Sequence, residues 1–208
     1  MKRILCKSSI FLLLIALFLP LISGCARETD AELLATVDRL LKESATVNEI
    51  CFGAGLAHVE DASEGYLTPG YAEATEASRQ KYGVGSVADI KAKMYAVYST
   101  ATCDYIDGVI FQPVREENTI ASYRRYFDAE NGEGSLCLMV KKDYEPFAVG
   151  DVSYSNIRIQ KHSRARAEIL VDITVSDGKE SRTDKDVALP LRYEDGWRLD
   201  TVTYASLK

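Results

Sequence analysis

The sequence predicts an α+β fold in which amino-terminal helices pack on a carboxy-terminal antiparallel meander sheet. In the first half of the chain, beyond residue 30, apolar side chains recur every three or four positions, which is typical of helices with one buried face. Beyond Pro113 they alternate with polar side chains, which is typical of strands with one wet face. Asp177-Gly178 and Asp195-Gly196 separate three of these alternating runs, and this dipeptide is a strong hairpin signal.

The first predicted helix begins near Thr29 and ends at Gly53-Ala54-Gly55. Its apolar positions follow helical spacing: Leu33, Leu34, Val37, Leu40, Leu41, Val47 and Ile50. Residues 53–85 are predicted to be irregular, with a turn at Thr68-Pro69-Gly70 and a short helix within residues 72–82.

Two longer helices are predicted next. Ser86 is the N-cap of the first of them, because Asp89 stands three positions further on, as in a capping box. Thr100 is predicted to be the cap that begins the second, and Pro113 ends it because proline cannot continue a helix.

The carboxy-terminal half is predicted to consist of strands joined by tight turns. Residues 120–127 and 136–140 form a predicted hairpin. Later strands are predicted at 152–159, 165–175, 187–193 and 197–203. The inward-facing residues of the alternating strands are Ala, Ile, Val and Leu, and this absence of interior charge argues against catalysis.

Residues 1–24 are predicted to be an export signal. Lys2, Arg3 and Lys7 form a basic start, and an apolar run follows that is shorter than the about 20 residues of a membrane-spanning helix. Ile22-Ser23-Gly24-Cys25 then resembles the lipobox of bacterial lipoproteins. The resemblance implies cleavage before Cys25, diacylglycerol on its sulfur, and anchoring on the extracytoplasmic side of a bacterial cell membrane. An ordinary signal peptide and an uncleaved anchor helix are the alternatives.

After the lipidated cysteine and a short tether, residues 25–30, one globular domain is predicted over residues 31–208. Removing residues 1–24 takes away three basic residues and leaves 22 basic against 31 acidic residues. This excess of negative charge argues against nucleic acid as a partner and against docking on anionic lipid. Membrane contact is therefore expected through the Cys25 lipid alone.

The sequence gives little indication of a metal site or of a catalytic nucleophile. Cys51, Cys103 and Cys137 allow at most one disulfide, and buried thiols are the favoured interpretation. We expect no metal site and no cofactor, since Cys/His clusters are absent and the acidic residues Glu60, Asp61 and Glu64 lack calcium-loop spacing. His58 and His162 are interpreted as non-catalytic, with His162 facing solvent. Ser176-Asp177-Gly178-Lys179 spells S-x-x-K, but its place in a hairpin turn excludes the helical geometry of that motif.

The last hairpin carries a family resemblance. Tyr193-Glu194-Asp195-Gly196-Trp197-Arg198-Leu199-Asp200 closes a helix-then-meander domain, as in NTF2-like (SnoaL-like, cystatin-like cone) domains of lipoproteins from Gram-positive bacteria. A looser resemblance, in Gly65-Tyr66-Leu67 ahead of the Ser86 cap, is to secreted inhibitors of cell-wall DL-endopeptidases.

Aromatic side chains are the candidate ligand contacts. Tyr66, Tyr71 and Tyr82 cluster in the irregular segment, where their rings could stack on a sugar or a peptide. Packing in the core or at its rim is the alternative. The sequence thus predicts a non-enzymatic cell-surface binding module for a protein, glycan or small molecule, without catalytic residues. A regulator of a cell-wall peptidase and a small-molecule enzyme of the NTF2-like type are the two alternatives.

Overall fold

A computed structural model describes residues 29–60, 70–116, 119–123, 125–130, 134–146 and 151–203 of the chain. The chain divides into two units, Met1–Leu33 and Leu34–Lys208. Helices occupy the amino-terminal half of the described residues and antiparallel sheets the carboxy-terminal half, so the predicted α+β class is confirmed.

The described helices are α1 (Asp30–Cys51), α2 (Glu76–Tyr82), α3 (Val87–Val97) and α4 (Thr100–Ile110). Thr29 and Glu32 form a reciprocal capping pair at the start of α1, with Thr29 N donating to Glu32 Oε2 over 2.8 Å. Ser86 caps α3 as predicted, by accepting from Asp89 N. The cap of α4 is Ser99 rather than Thr100, because the Ser99 hydroxyl accepts from Thr102 N.

Nine strands are seen in the described residues, and they form three antiparallel sheets rather than one meander. Strand β5 (Leu136–Lys141) lies between β1 (Tyr71–Glu73) and β4 (Tyr126–Glu130). Strands β2 (Pro113–Glu116) and β3 (Thr119–Tyr123) pair with each other. The largest sheet has the order β6 (Asp151–His162), β7 (Arg166–Ser176), β8 (Ser181–Tyr193) and β9 (Trp197–Leu199).

The predicted hairpin of residues 120–127 and 136–140 is therefore partly wrong. The strand predicted at 120–127 is interrupted before β4, where Arg125 N donates to Ile110 O at the end of α4. The residues before the interruption pair with β2, a strand that the sequence pattern does not indicate, and only those after it pair with β5. The alternation of apolar and polar residues thus continues through a point where the strand itself is interrupted by the hydrogen bond between Arg125 N and Ile110 O.

The largest sheet is the meander that the two Asp-Gly turns predict. Ser176 and Ser181 face each other across the first turn, and Tyr193 and Trp197 across the second. Buried apolar side chains line one face of β7: Ala167, Ile169, Val171, Ile173 and Val175. Strand β9 ends at Leu199, earlier than predicted: Leu199 O accepts from Ser99 N, and Thr203 already forms hydrogen bonds with Ser44 and Asn48 of α1.

The terminal hairpin holds the start of α4. Glu194 accepts from Thr100 N over 2.8 Å, and Asp200 accepts from the Ser99 hydroxyl. Two carboxylates at a helix N-terminus neutralise the free amide groups and the positive end of the helix dipole. The motif that resembles NTF2-like domains therefore has a structural role in this protein.

Asp172 lies on the face of β7 predicted to be wet, yet it is only 6% exposed. Bulges in both neighbouring strands turn toward it, with positive φ at Asn156 and Asp186. Its carboxylate accepts from Asn156 Nδ2 over 2.6 Å and from Asp186 N over 2.9 Å, and these bonds lower the pKa of Asp172. The buried Asp172 carboxylate thus stabilises the two bulges, one in each neighbouring strand.

None of the helices among the described residues is long and apolar enough to span a membrane.

Candidate ligand-binding cleft

A cleft of about 470 Å³ opens between the end of α1, the end of α2 and the start of β6. We call it the Lys81 cleft. It is lined by Ala45, Thr46, Asn48, Glu49, Gly53, Lys81, Tyr82, Asp151, Val152 and Tyr154. Its volume lies within the about 300–1,000 Å³ of small-molecule sites.

Three residues of α1 line one side of the cleft because helical spacing places them on the same face of the helix. Ala45, Asn48 and Glu49 are three and four residues apart, so they share one face of the helix. Gly53 follows soon after the helix and leaves room for the Glu49 side chain. A Cβ at Gly53 would overlap the Glu49 Oε2 and lie 2.9 Å from its Cδ. Glu49 is half-buried, and its carboxylate lies against Gly53 in the space that a Cβ there would occupy.

On the α2 side, Lys81 and Tyr82 form a pair. Lys81 Nζ donates to the Tyr82 hydroxyl over 2.9 Å and lies 4.5 Å from the centre of its ring. This hydrogen bond, with a smaller contribution from Glu49, raises the pKa of Lys81. Gly83 ends the helix in the left-handed conformation that glycine adopts readily. The ammonium group is therefore charged and held at the wall of the cleft.

A buried polar network fixes the floor. Tyr98 donates from its hydroxyl to Asn48 Oδ1 over 2.7 Å, and Asn48 Nδ2 donates to Thr203 Oγ1 over 3.0 Å. Thr203 Oγ1 in turn donates to Ser44 Oγ, and its carbonyl accepts from the Tyr154 hydroxyl over 3.2 Å. Burial raises the pKa of Tyr98 well above its usual range, so this network stays neutral. Residues of α1 and β6, Tyr98 at the end of α3, and Thr203 are held together as a preformed surface.

The sequence-predicted tyrosines do not form one site in the described residues. Tyr82 lines the Lys81 cleft but is only 9% exposed, so its role as a ligand contact stays a prediction. Tyr71 is only 5% exposed and packs edge-to-face on Phe127, with ring centres 5.1 Å apart, which fits the core alternative. Tyr66 and Cys25 lie outside the described residues. Glu49, Lys81 and Tyr154 were not predicted from the sequence. The i, i+4 spacing of Ala45 and Glu49 does indicate that these two residues share a face of the helix.

The cysteines and histidines lie elsewhere. Cys51, Cys103 and Cys137 are buried and form no disulfide, as predicted. His162 is half-buried, with its ring 5.7 Å from that of Trp197, so it faces solvent only in part. The Trp197 ring covers it because the β8–β9 turn lies at the same end of the sheet. Among the described residues, no group of three or more His, Cys, Asp or Glu side chains is placed to hold a metal ion.

A second depression, the Arg39 groove, has a volume of about 360 Å³. It lies between α1 and α3 and is lined by Arg39, Glu43, Thr46, Val47, Lys93, Ala96 and Val97. Arg39 and Glu43 already form an ion pair with an N–O distance of 2.7 Å. Because this pair neutralises both charges, the groove is the natural control for experiments on the Lys81 cleft.

Comparison with known proteins adds no assignment: no protein-family model matches the chain, and no curated protein matches it.

The buried thiols predict a loss of stability in alkali. Burial raises the pKa of Cys51 and of Cys103 to about 12, from 9.0. Between about pH 9 and pH 12 the unfolded chain releases these protons while the folded protein keeps them, so the free energy of unfolding falls as the pH rises. For Cys51 the slope is at most about 1.4 kcal/mol per pH unit. Urea denaturation at about pH 7, 9 and 10.5 measures it, and Cys51→Ala should flatten the dependence. Equal slopes in both proteins would contradict this.

Proposed function

We propose that this protein is a lipoprotein, anchored through diacylglycerol on Cys25 at the extracytoplasmic face of a bacterial cell membrane, whose Lys81 cleft binds a small polar molecule. The observation that carries the binding role is the cleft itself, where charged groups and two tyrosines converge over a preformed floor. The lipobox at residues 22–25 supports the anchor.

The cleft supports binding rather than chemistry. Its floor groups, Asn48 and Tyr154, are engaged in hydrogen bonds with Tyr98 and Thr203, and Tyr98 remains protonated because burial raises its pKa. Such groups orient a ligand but do not exchange protons with it near neutral pH. We also propose that the domain is a divergent NTF2-like cone, which the order of helices and the closing meander support.

The cleft is tested by filling it. Ala45 and Ala96 are both exposed alanines on helices, and they line the Lys81 cleft and the Arg39 groove respectively. The intact protein in detergent is incubated with the low-molecular-weight fraction of a cell-envelope extract and washed, and bound molecules are identified by mass spectrometry. We expect the wild type and Ala96→Trp to retain the same molecule and Ala45→Trp to lose it.

Two results would count against the proposal. Retention of the molecule by Ala45→Trp would place binding elsewhere, and the absence of any retained molecule on the wild type would leave the cleft without a binding role. Circular dichroism of the two tryptophan variants controls for folding, since both substitutions place the same side chain on an exposed helix position.

A further inference from the structure

The Lys81 cleft holds two carboxylates that are not neutralised within the described part of the chain. Glu49 on α1 and Asp151 at the start of β6 both line it, and neither carboxylate forms a hydrogen bond or an ion pair with a described residue. This contrasts with Glu43, which lies earlier on α1 and whose carboxylate pairs with Arg39. The Glu49 and Asp151 carboxylates are therefore available to accept hydrogen bonds from a ligand.

Lys81 and Tyr82, on the α2 side of the cleft, supply donors. Lys81 uses one of its three N–H groups on the Tyr82 hydroxyl and has two left. Because the Tyr82 oxygen accepts that bond, its own proton is free to be donated. No ion pair joins Lys81 to Glu49, although the Glu49 carboxylate contributes to the raised pKa of Lys81. The two charges thus line one cleft without forming an ion pair with each other.

A neutral ligand such as a sugar would fit this arrangement poorly. Covering the half-buried Glu49 carboxylate removes water from it, and a hydroxyl group compensates a charge less well than an ammonium group does. The same holds for Lys81 and a carboxylate. A ligand that bears both an ammonium and a carboxylate satisfies both sides, while the half-buried ring of Tyr154 offers apolar surface to the part between.

We propose that the ligand of the Lys81 cleft is an amino acid or a short peptide with free ends, its ammonium at Glu49 and Asp151 and its carboxylate at Lys81 and Tyr82. This inference rests on the proposed function, since it names the ligand class of the same site.

Four forms of one peptide test it. Trialanine, its N-acetyl form, its C-terminal amide and the doubly capped form are titrated calorimetrically into the intact protein in detergent, with a neutral disaccharide alongside. Free trialanine should bind, and each single cap should weaken binding by at least about tenfold. In Glu49→Gln the N-acetyl cap should matter less, because Asp151 remains, and in Lys81→Met the amide cap should matter less, because the Tyr82 hydroxyl remains.

The matched control variants are Glu43→Gln and Lys93→Met, which lie in the Arg39 groove and should keep both discriminations. The inference is overturned if free and capped peptides bind equally, if trialanine does not bind, or if the disaccharide binds in its place. Should Ala45→Trp abolish capture of the envelope molecule while the caps have no effect, the proposed function stands and the ligand class is wrong. Binding of trialanine that Ala45→Trp leaves unchanged would contradict both.

Discussion

Arg125→Ala is expected to lower the free energy of unfolding by about 2–5 kcal/mol, because it leaves two buried carbonyls without their donor and opens a cavity. Arg125 is 1% exposed, and no carboxylate among the described residues pairs with it. Its guanidinium donates instead to Cys51 O over 2.9 Å and to Gly53 O over 2.8 Å. These carbonyls lie at the end of α1, where the helix dipole is negative, so they stabilise a cation. The substitution leaves both without this donor and opens a cavity.

Aromatic rings complete the surroundings of this arginine. Its Cζ lies 3.9 Å from the ring centre of Tyr144 and 5.2 Å from that of Tyr126, within reach of cation–π attraction. Chemical denaturation of the wild type and variant measures the loss. Arg182→Ala, at an exposed position of β8, should change stability by no more than about 0.5 kcal/mol. A similar value for Arg125→Ala would show that the buried guanidinium contributes little.

Gly55→Ala tests the same buried site, because Gly55 lies against the Arg125 guanidinium. Gly55 has a φ of +75°, and a Cβ there would overlap the Arg125 Nη2 and the Tyr126 hydroxyl. Gly178 has a φ of +84°, and a Cβ there would meet no atom within 4 Å, so it is a matched control for the backbone conformation alone. Gly178→Ala should cost about 1–2 kcal/mol, and Gly55→Ala distinctly more. Equal losses would mean that the arginine moves aside freely.

Cys25→Ser is expected to remove the protein from the membrane fraction or to leave its precursor uncleaved. A hydroxyl cannot form the thioether through which the proposed diacylglycerol would be attached, and two acyl chains are what stable lipid anchoring requires. Fractionation of cells and the mass of the amino-terminal peptide measure both results. Cys6→Ser, in the basic start of the signal, is the matched control and should be processed normally. A Cys25→Ser protein that is cut and retained like the wild type would disprove the lipoprotein assignment.

The parts of the fold that depend on local pattern were predictable. The apolar spacing of α1, the Ser86 cap and the two Asp-Gly turns each involve residues close in sequence, and all three are confirmed. The interruption at Arg125 was not predictable, since alternation runs on through it. It depends on the carbonyls of Ile110, Cys51 and Gly53, which are distant in sequence.

The same distinction applies to the site. Tyr82 was predicted as a ligand contact because tyrosines are common at binding surfaces. Its partners were missed, because Glu49 and Asp151 reach the cleft only after α1 and β6 are placed beside α2. Tyr71 has the same residue type and a similar local context, yet its strand pairs with β5 and turns its ring into the core beside Phe127. Composition therefore indicates candidates, and tertiary contacts decide between them.

Lysine acetylation read by mass spectrometry decides whether the Lys81 cleft is the binding site, since Lys81 lines it, Lys93 lines the Arg39 groove and Lys42 is exposed on α1. The intact protein is labelled with and without the envelope molecule that it captures. We predict that acetylation of Lys81 slows severalfold in the presence of the ligand while Lys42 and Lys93 react as before. Slower labelling of Lys93 with Lys81 unchanged, or no change at any of the three lysines, would contradict binding in the Lys81 cleft.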